Sequence, residues 1–422
     1  MSTPSGGGYP GDFNILTMDL TDTTGLTQSL KYVFLEMNWY EDIWNNQIQC
    51  NILINDGKNM LNNFPRPQMD NGIFGYETLN LSFQTPNSGT ISQTFRLIGI
   101  TDRKYLRDRE IGYILHFVTP EAVQNLTTRV SKSYKGFLIS DMVSDIHTNL
   151  LGGGPINIET TQTQYHFVIP NIFPCHAINW LASRANSAQW AGADYLYFQD
   201  QAQFNFISME TVLQSPSAGT YLYQIANVDS EYHTLSSDQV AASTYNFDHF
   251  SNILENIQSG MYGNELIVHS QIRKRWDPFT FDYPSSFTTY QHLYPNNPLY
   301  STGGAGGAVN SASSKLKLAG DGPPDFLFNP SAWIPCRMSQ LQQLQNVKLS
   351  VTVPGDSTRT VGQVVTFNIP SPEPLQNNQL IMDKYYQGTF VVTSVRHKID
   401  PDKYVTTMEL VKDSTFTPYP NS

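Results

Sequence analysis

The closing segment "GTFVVTSVRHKIDPDKYVTTMELVKDS", residues 388–414, decides the fold. Polar and apolar residues alternate on both sides of a turn at Asp400-Pro401-Asp402-Lys403, which predicts two antiparallel strands. Each strand is predicted to place one set of side chains on a shared face: Val391, Thr393, Val395, His397 and Ile399, then Tyr404, Thr406, Met408 and Leu410. The segment therefore predicts a well-formed β-hairpin, and nothing around it has the pattern of an active site.

A similar series of strands occurs nearer the N-terminus. The apolar positions of "FRLIGITDR" (95–103) match those of "FVVTSVRHK" (390–398). The next predicted strands, "YILHFV" (113–118) and "TTMELV" (406–411), also correspond. Upstream, "QCNILINDG" and "GYETLNLSF" correspond to "LSVTVPGD" and "GQVVTFNI", and we take "LKYVFLEMNW" and "NELIVHSQIR" as the two starting strands. Because polar and apolar residues alternate in all β-hairpins, the likeness of the two series could also arise by chance. The preserved order favours a duplicated β module.

Between the two series the period changes from strand to helix. Thr119 and Pro120 form a helix start, and Leu138, Met142 and Ile146 recur at helical spacing before Gly152. The predicted fold class is therefore β-rich α+β, with two antiparallel β-barrels joined by an α+β domain. The predicted boundaries are a flexible N-terminus at 1–12, a first barrel at 13–118 with 213–247 as a candidate return to it, the α+β domain at 119–212, a second barrel at 248–285 plus 346–414, a loop-rich insertion at 286–345 and a tail at 415–422.

Composition narrows the class of function. Charged residues make up 14% of the 422 residues and the formal net charge is −11, whereas ordinary soluble domains are about 25% charged. A protein that grips nucleic acid needs a basic face, which this balance does not supply. A polar but weakly charged surface suits extensive protein–protein contact. A compositional bias of the organism is the alternative explanation.

The three cysteines, Cys50, Cys175 and Cys336, are far apart in the chain and form no CxxC motif. They predict no disulfide framework and no zinc site of the usual spacing. The N-terminal "MSTPSGGGYPGDF" lacks the basic and apolar regions of a signal peptide, and no apolar run approaches the ~20 residues that span a bilayer. We therefore expect a soluble chain that is made in the cytoplasm and does not insert into membranes.

Candidate chemical groups are few, and we assign no catalytic, cofactor-binding or metal-binding residue and no cofactor. Cys175 and His176 are adjacent in a predicted helix, where neighbouring side chains point about 100° apart, so a shared metal is not expected. His397 is predicted to be a barrel or interface residue, and Asp141 and Asp145 a solvated helix edge.

A short basic segment follows the first predicted helix. Arg129, Lys132 and Lys135 are interpreted as a solvated strand face, with contact to acidic neighbours across a subunit interface as the alternative. The sequence contains no GxSxG or Walker A motif that would favour an enzyme.

Several segments, taken in order, resemble a known family. "IGYILHFVTPEAVQNLTTRVSKSYKG", "SDMVSDIHTNLL" with "INIETTQTQYHFVIPNIFPCHAINWLASRAN", and the closing hairpin are similar to parts of the central baseplate hub proteins of contractile-tailed bacteriophages. Together these segments cover most of the chain, although residues 286–345 match no part of the family. The resemblance implies barrels like those of tail-tube proteins.

The resemblance also implies a function and partners. It implies a structural virion protein without enzymatic activity: a homotrimer in the tail baseplate that adapts the sixfold tail tube to the threefold central spike. The implied partners are a tail-tube or tube-initiator protein above, a trimeric spike protein below and neighbouring baseplate proteins, with DNA passing through the lumen without specific binding. The alternatives are a hub of a DNA-free contractile injection system and, from a different class, a β-rich protein that binds or degrades cell-wall glycans.

Overall fold

The computed structural model describes residues 12–62, 64, 72–86, 89–223, 239–270, 274–298, 316–320, 330–373 and 381–418. Its strands are β1 (Asn14–Thr21), β2 (Thr27–Ser29), β3 (Phe34–Asp42), β4 (Gln49–Asp56), β5 (Thr78–Gln84), β6 (Thr90–Arg107), β7 (Glu110–Val118), β8 (Val130–Leu138), β9 (Ile156–Ile158), β10 (Gln164–Ile172), β11 (Tyr195–Gln199), β12 (Phe204–Ser208), β13 (Ser217–Tyr223), β14 (Gln239–Ala242), β15 (Thr244–Phe250), β16 (Gly263–Ser270), β17 (Arg275–Asp282), β18 (Leu316–Gly320), β19 (Val347–Pro354), β20 (Val364–Asn368), β21 (Gly388–Asp400) and β22 (Lys403–Lys412). Its helices are α1 (Pro120–Thr127), α2 (Ile139–Leu150), α3 (Pro174–Ala182), α4 (Met209–Leu213), α5 (Ile253–Ser259), α6 (Tyr283–Ser286) and α7 (Ile334–Gln343).

One 14-stranded sheet contains both predicted β modules. The first unit has the strand order β3-β4-β7-β6-β5, and the second unit has the order β15-β19-β22-β21-β20, with every neighbouring pair antiparallel. The two units join where β21 pairs with β3. The prediction of two separate barrels is therefore not confirmed, because a single strand serves both units and no closed barrel is found among the described strands.

The two units share an irregularity as well as a strand order. In the first unit, the register of β6 against β7 shifts between Leu97 and Gly99. In the second unit, the register of β21 against β22 shifts between Val392 and Ser394. Because the sequence comparison aligns Leu97 with Val392, the two β-bulges fall at the same place in the repeat.

A turn of unusual backbone conformation also recurs. Tyr76 and Gly362 have positive φ angles of 67° and 76°, a region that residues other than glycine seldom enter. Tyr76 N–H donates to the carbonyl of Leu97 at 3.0 Å, and Gly362 N–H donates to that of Val392 at 2.9 Å. These shared features, together with the strand order, agree with the predicted repeat for four of its five strands.

The starting strand and part of the second module were predicted wrongly. The strand that begins the second unit is β15, which pairs with β19, and not "NELIVHSQIR" at 264–273. Residues 264–270 of that segment lie in β16, which pairs with β17 and β18 in a separate three-stranded sheet, and residues 271–273 lie outside the described part of the chain. The hairpin leaves the large sheet because the adjoining residues Met261, Tyr262, Tyr283 and Phe287 bury a small core of their own.

The described residues of the stretch 213–247 do not pair with the first unit. β13 pairs in parallel with β20, and β14 pairs in parallel with β13. Ser243 then donates its backbone N–H to Thr352 of β19, directly before β15 begins. All of the described strands in this stretch therefore extend the second unit.

The described residues of the predicted insertion at 286–345 include regular elements and contacts with the end of the chain. It contributes β18 and α7, and its residues 292–296 lie against the end of the chain. Asn296 forms a bridge with Thr415, which is fully buried, so the predicted tail begins in the core. The glycine-rich stretch at 301–314 and the predicted flexible residues 1–11 lie outside the described residues.

The α+β domain at 119–212 agrees with the sequence pattern. α1 begins at Pro120, α2 buries Met142 and Ile146, and the predicted hairpin forms as β11 and β12. Among the described residues, every helix is too short or too polar to cross a lipid bilayer.

Candidate functional site: the junction of the two strand units

The junction is built by the closing hairpin. Residues Ser394 to Ile399 of β21 pair with Asp42 to Met37 of β3 without a register shift. Ile399 and Tyr404 are buried in the apolar core of the first unit, whereas Val392 and Val395 are buried in that of the second. The hairpin thus contributes to two cores, which fixes the position of one unit relative to the other.

The predicted face of β22 is confirmed, because Tyr404, Thr406, Met408 and Leu410 are all buried and lie on one face. The predicted face of β21 holds for Val395, His397 and Ile399, which pair with Met408, Thr406 and Tyr404. Before the register shift it is wrong, because Val392 pairs with Leu410 and takes this face, whereas Val391 pairs with Val411. His397 lies at the centre of this arrangement: Tyr404 Oη is 2.8 Å from His397 Nδ1, and His397 Nε2 is 3.1 Å from the carbonyl oxygen of Arg359. A carbonyl can only accept, so Nε2 carries the proton and Nδ1 accepts from Tyr404. Burial lowers the pKa of His397 to about 4. The ring is a neutral packing element between the units, as predicted for a barrel or interface residue.

A buried acid lies on the other side of the junction. The Glu41 carboxylate accepts from Trp39 Nε1 at 2.8 Å, from Val361 N–H at 3.2 Å and from the Thr360 hydroxyl. Burial raises the pKa of Glu41 to about 7, against an ordinary value of 4.5, although these hydrogen bonds act in the opposite direction. Sequence analysis missed this residue. The signal was present, because Met37, Trp39 and Glu41 share one face of a strand and only the last is charged.

The loop between β19 and β20 closes over the same junction. Gly355 passes so near the Tyr404 ring that a Cβ at this position would lie 2.1 Å from it. Ser357 Oγ lies 2.9 Å from Thr85 Oγ1 and also accepts the backbone N–H of Thr85 at 3.2 Å. The loop therefore ties the second unit to the end of β5 through side-chain and backbone contacts.

The α+β domain contacts both strand units. Asn46, in the turn between β3 and β4, donates to the carbonyl of Tyr197 at 2.7 Å, and the Gln199 amide oxygen accepts from Ile48 N–H at 3.3 Å. Leu196, Phe198 and Met209 of the domain are buried in the apolar core of the second unit. Arg337 of α7 also donates to the carbonyls of Ala193 and Tyr195 at 2.7 and 3.0 Å. These buried polar contacts leave little freedom for the domain to move against the sheet.

The remaining candidate residues do not form a reactive centre. Cys175 is buried and His176 is exposed, so their side chains face different surroundings. Burial raises the pKa of Cys175 to about 12, which keeps its thiol protonated. Within the described part of the chain, no cluster of three or more His, Cys, Asp or Glu side chains has the geometry to hold a metal ion.

The basic segment and the acidic helix edge meet each other. Lys132 Nζ lies 2.7 Å from Asp145 Oδ2, which also accepts from Tyr134 Oη at 2.5 Å. Arg129 stacks over the ring of Phe173 at 3.6 Å. Two of the three basic side chains therefore have partners within the chain, whereas Asp141 and Lys135 are exposed.

No family model matches the chain. A probable baseplate hub protein of Vibrio phage KVP40 is 22% identical over 358 residues, which cover 81% of this chain and 82% of that protein. Two solved structures share the fold. A 43 kDa tail protein of prophage MuSo2 from Shewanella oneidensis has a TM-score of 0.55 at 8% identity, covering 94% of this chain and 98% of its own. A tail protein from Neisseria meningitidis MC58 has a TM-score of 0.52 at 10% identity, covering 95% and 97%. The sequence match and the shared fold confirm the predicted resemblance: over most of its length, the chain is similar to the baseplate hub proteins of phages.

Proposed function

We propose that three copies of this chain form the central hub of a virion tail baseplate. The observation that carries the proposal is the repeated unit of five strands, whose two copies are joined within one chain by the pairing of β21 with β3. A trimer of such a chain presents six similar units around one threefold axis. The similarity to a probable baseplate hub protein supports the same assignment.

The mechanism of such a hub is geometric. A sixfold tail tube, or a protein that initiates it, would meet six nearly equivalent units on one side, and a threefold spike would meet three identical chains on the other. This arrangement needs two units that do not rotate against each other. The shared hairpin, the buried Glu41 and the loop at Gly355 provide that rigidity in the chain.

DNA would cross the lumen of this ring without being bound specifically. The formal net charge of −11 supports this part of the proposal, since affinity for phosphates requires a basic surface. We assign no catalytic step to the protein. It would be synthesised in the cytoplasm of the host bacterium and act in the assembled tail. A hub of a DNA-free injection system would have the same architecture, and capsid and terminase genes beside the gene for this chain would favour the phage.

The proposal is tested by the mass of the purified protein in solution, alone and after mixing with the tube and spike proteins encoded beside it. We expect three chains per particle and co-elution with both partners. A particle with another number of chains, or a chain that binds neither partner, would contradict the proposal. Clearing of bacterial cell-wall material by the isolated chain would instead favour the glycan-degrading alternative.

A further inference from the structure

The edge of β6 that faces away from β7 is partly unpaired among the described strands, whereas the equivalent edge of β21 in the second unit is paired. β5 pairs with β6 as far as Arg96, and Leu97 bonds to Tyr76 and Glu77. Beyond Leu97, no described strand pairs with this edge of β6. Ile98 and Tyr105 are 57% and 73% exposed there. An unpaired strand edge with exposed apolar side chains is a template for another strand.

The second unit shows what occupies this edge. Beyond Val392, the equivalent edge of β21 pairs with β3, from Ser394 to Ile399. Ile43 extends the pairing by donating its backbone N–H to the carbonyl of Thr393 at 2.9 Å. β3 is the outer strand of the first unit, and its counterpart in the second unit is β15. Within the described residues, β15 pairs only with β19, so its other edge is open too.

We propose that the open edge of β6 in one chain pairs antiparallel with the open edge of β15 in the next chain of the trimer. The inference rests on the proposed hub and identifies the contact that closes it. The register follows from the pairs between β21 and β3 when each residue is replaced by its counterpart, on β6 for β21 and on β15 for β3. The expected pairs are Ile100 with Phe250, Thr101 with His249, Lys104 with Asn246, and Tyr105 with Tyr245.

The irregularities of the two strands support this register independently. β6 carries one extra residue against β7 between Thr101 and Lys104, and β15 carries one extra residue against β19 between Phe247 and His249. β21 and β3 have no shift at the equivalent places. In the proposed pairing the extra residue of β6 lies opposite the extra residue of β15. The pairs on both sides, Thr101 with His249 and Lys104 with Asn246, therefore stay in one register. An extra residue in only one strand would reverse every side chain beyond it.

The side chains beside the two edges are complementary. In the proposed register Asn252 is the counterpart of Ile43, and Ile98 is the counterpart of Thr393, to which Ile43 bonds. The start of α5 would therefore lie next to Ile98. Ile253 and Leu254 of that helix are 54% and 73% exposed. The pairing would therefore cover apolar groups contributed by both chains, in the same way that Ile43 and Ile399 are covered inside one chain.

A disulfide across the contact tests the register. Directly opposed residues of antiparallel strands have Cα atoms about 4.5–5.5 Å apart, within reach of a disulfide. Lys104→Cys and Asn246→Cys are exposed substitutions, and the described native cysteines are all buried. After oxidation, the double variant should form a covalent trimer on a non-reducing gel, and a mixture of the two single variants should form dimers. The control is Arg107→Cys with Asn246→Cys, displaced by three residues or about 10 Å.

The outcomes separate this inference from the proposed hub. A trimer in solution that shows no bond between positions 104 and 246, or bonds equally in the control, would overturn the pairing and leave the hub proposal in place. A chain that neither assembles nor crosslinks would overturn both. As a second measurement, Tyr105→Asp places a charge at an exposed position of the single chain. It should weaken trimer formation about tenfold or more while the melting temperature of the monomer stays unchanged.

Discussion

The buried carboxyl of Glu41 makes a specific prediction about pH. Its pKa is raised from 4.5 to about 7 by burial at the junction. A raised carboxyl pKa means that the folded chain holds a proton that the unfolded chain has already released. Stability is therefore lost as the pH rises from 4.5 through 7, and the loss is complete above that value. Replacing Glu41 by Gln removes the titrating group and keeps the shape of the side chain.

The size of the effect follows from the shift. Each pKa unit corresponds to about 1.4 kcal/mol. Between pH 5 and pH 8 the wild-type chain should lose about 2–3 kcal/mol at this residue, and Glu41→Gln should lose none of it. The free energy of unfolding of Glu41→Gln relative to wild type should therefore rise by that amount across the range. Urea denaturation followed by circular dichroism at each pH measures it.

A control lies on the same strand. Glu36 is bonded to Lys398 at 2.8 Å, and although burial alone would raise the pKa of Glu36, this contact lowers it. The free energy of unfolding of Glu36→Gln relative to wild type should therefore fall as the pH rises to neutral. For Glu41→Gln the same difference should rise. If the two variants show the same dependence on pH, or if Glu41→Gln parallels the wild type between pH 5 and pH 8, the account of a buried acid at the junction is wrong.

Three further predictions concern contacts of the closing segment, residues 388–414. Ile399→Ala should cost about 2–5 kcal/mol in urea denaturation, because Ile399 fills the first unit's core from the second unit's hairpin; a cost below 1 kcal/mol would show that the hairpin does not support that core. Gly355→Ala should cost about 1–3 kcal/mol, since its Cβ would meet the Tyr404 ring at 2.1 Å, and an unchanged melting temperature would refute this. Burial alone would lower the pKa of His292, but Asp413 at 2.7 Å raises it overall. The stability from this pair is present below pH 6.5 and lost as the pH rises through the raised pKa, so His292→Asn should destabilise more at pH 5.5 than at pH 9.

The hairpin and the α+β domain could be predicted from sequence because their signals are local. Period-2 alternation identified the buried face of β21 from Val395 to Ile399 but not before the bulge, and the Thr119-Pro120 start identified α1. The repeat could also be found, since Leu97 and Val392 stand at matching positions of matching strands.

The errors concern pairing between distant segments. β15 and β16 both alternate, so the pattern could not say which of them begins the second unit. The sequence pattern of the long β21 predicts one strand of one barrel. Only the structure shows that its second half also pairs with β3 of the first unit. Glu41 was missed because an acid in a strand is ordinarily solvated, and its burial depends on a loop more than 300 residues away, at Thr360 and Val361.

An electron cryo-microscopy map of the assembled tail would test the central claim most directly. The account predicts one ring of three chains in which the first and second units alternate at intervals of about 60° around the tail axis. A ring without a threefold axis would contradict it, and so would a map in which the first and second units of one chain are not related by rotation about that axis.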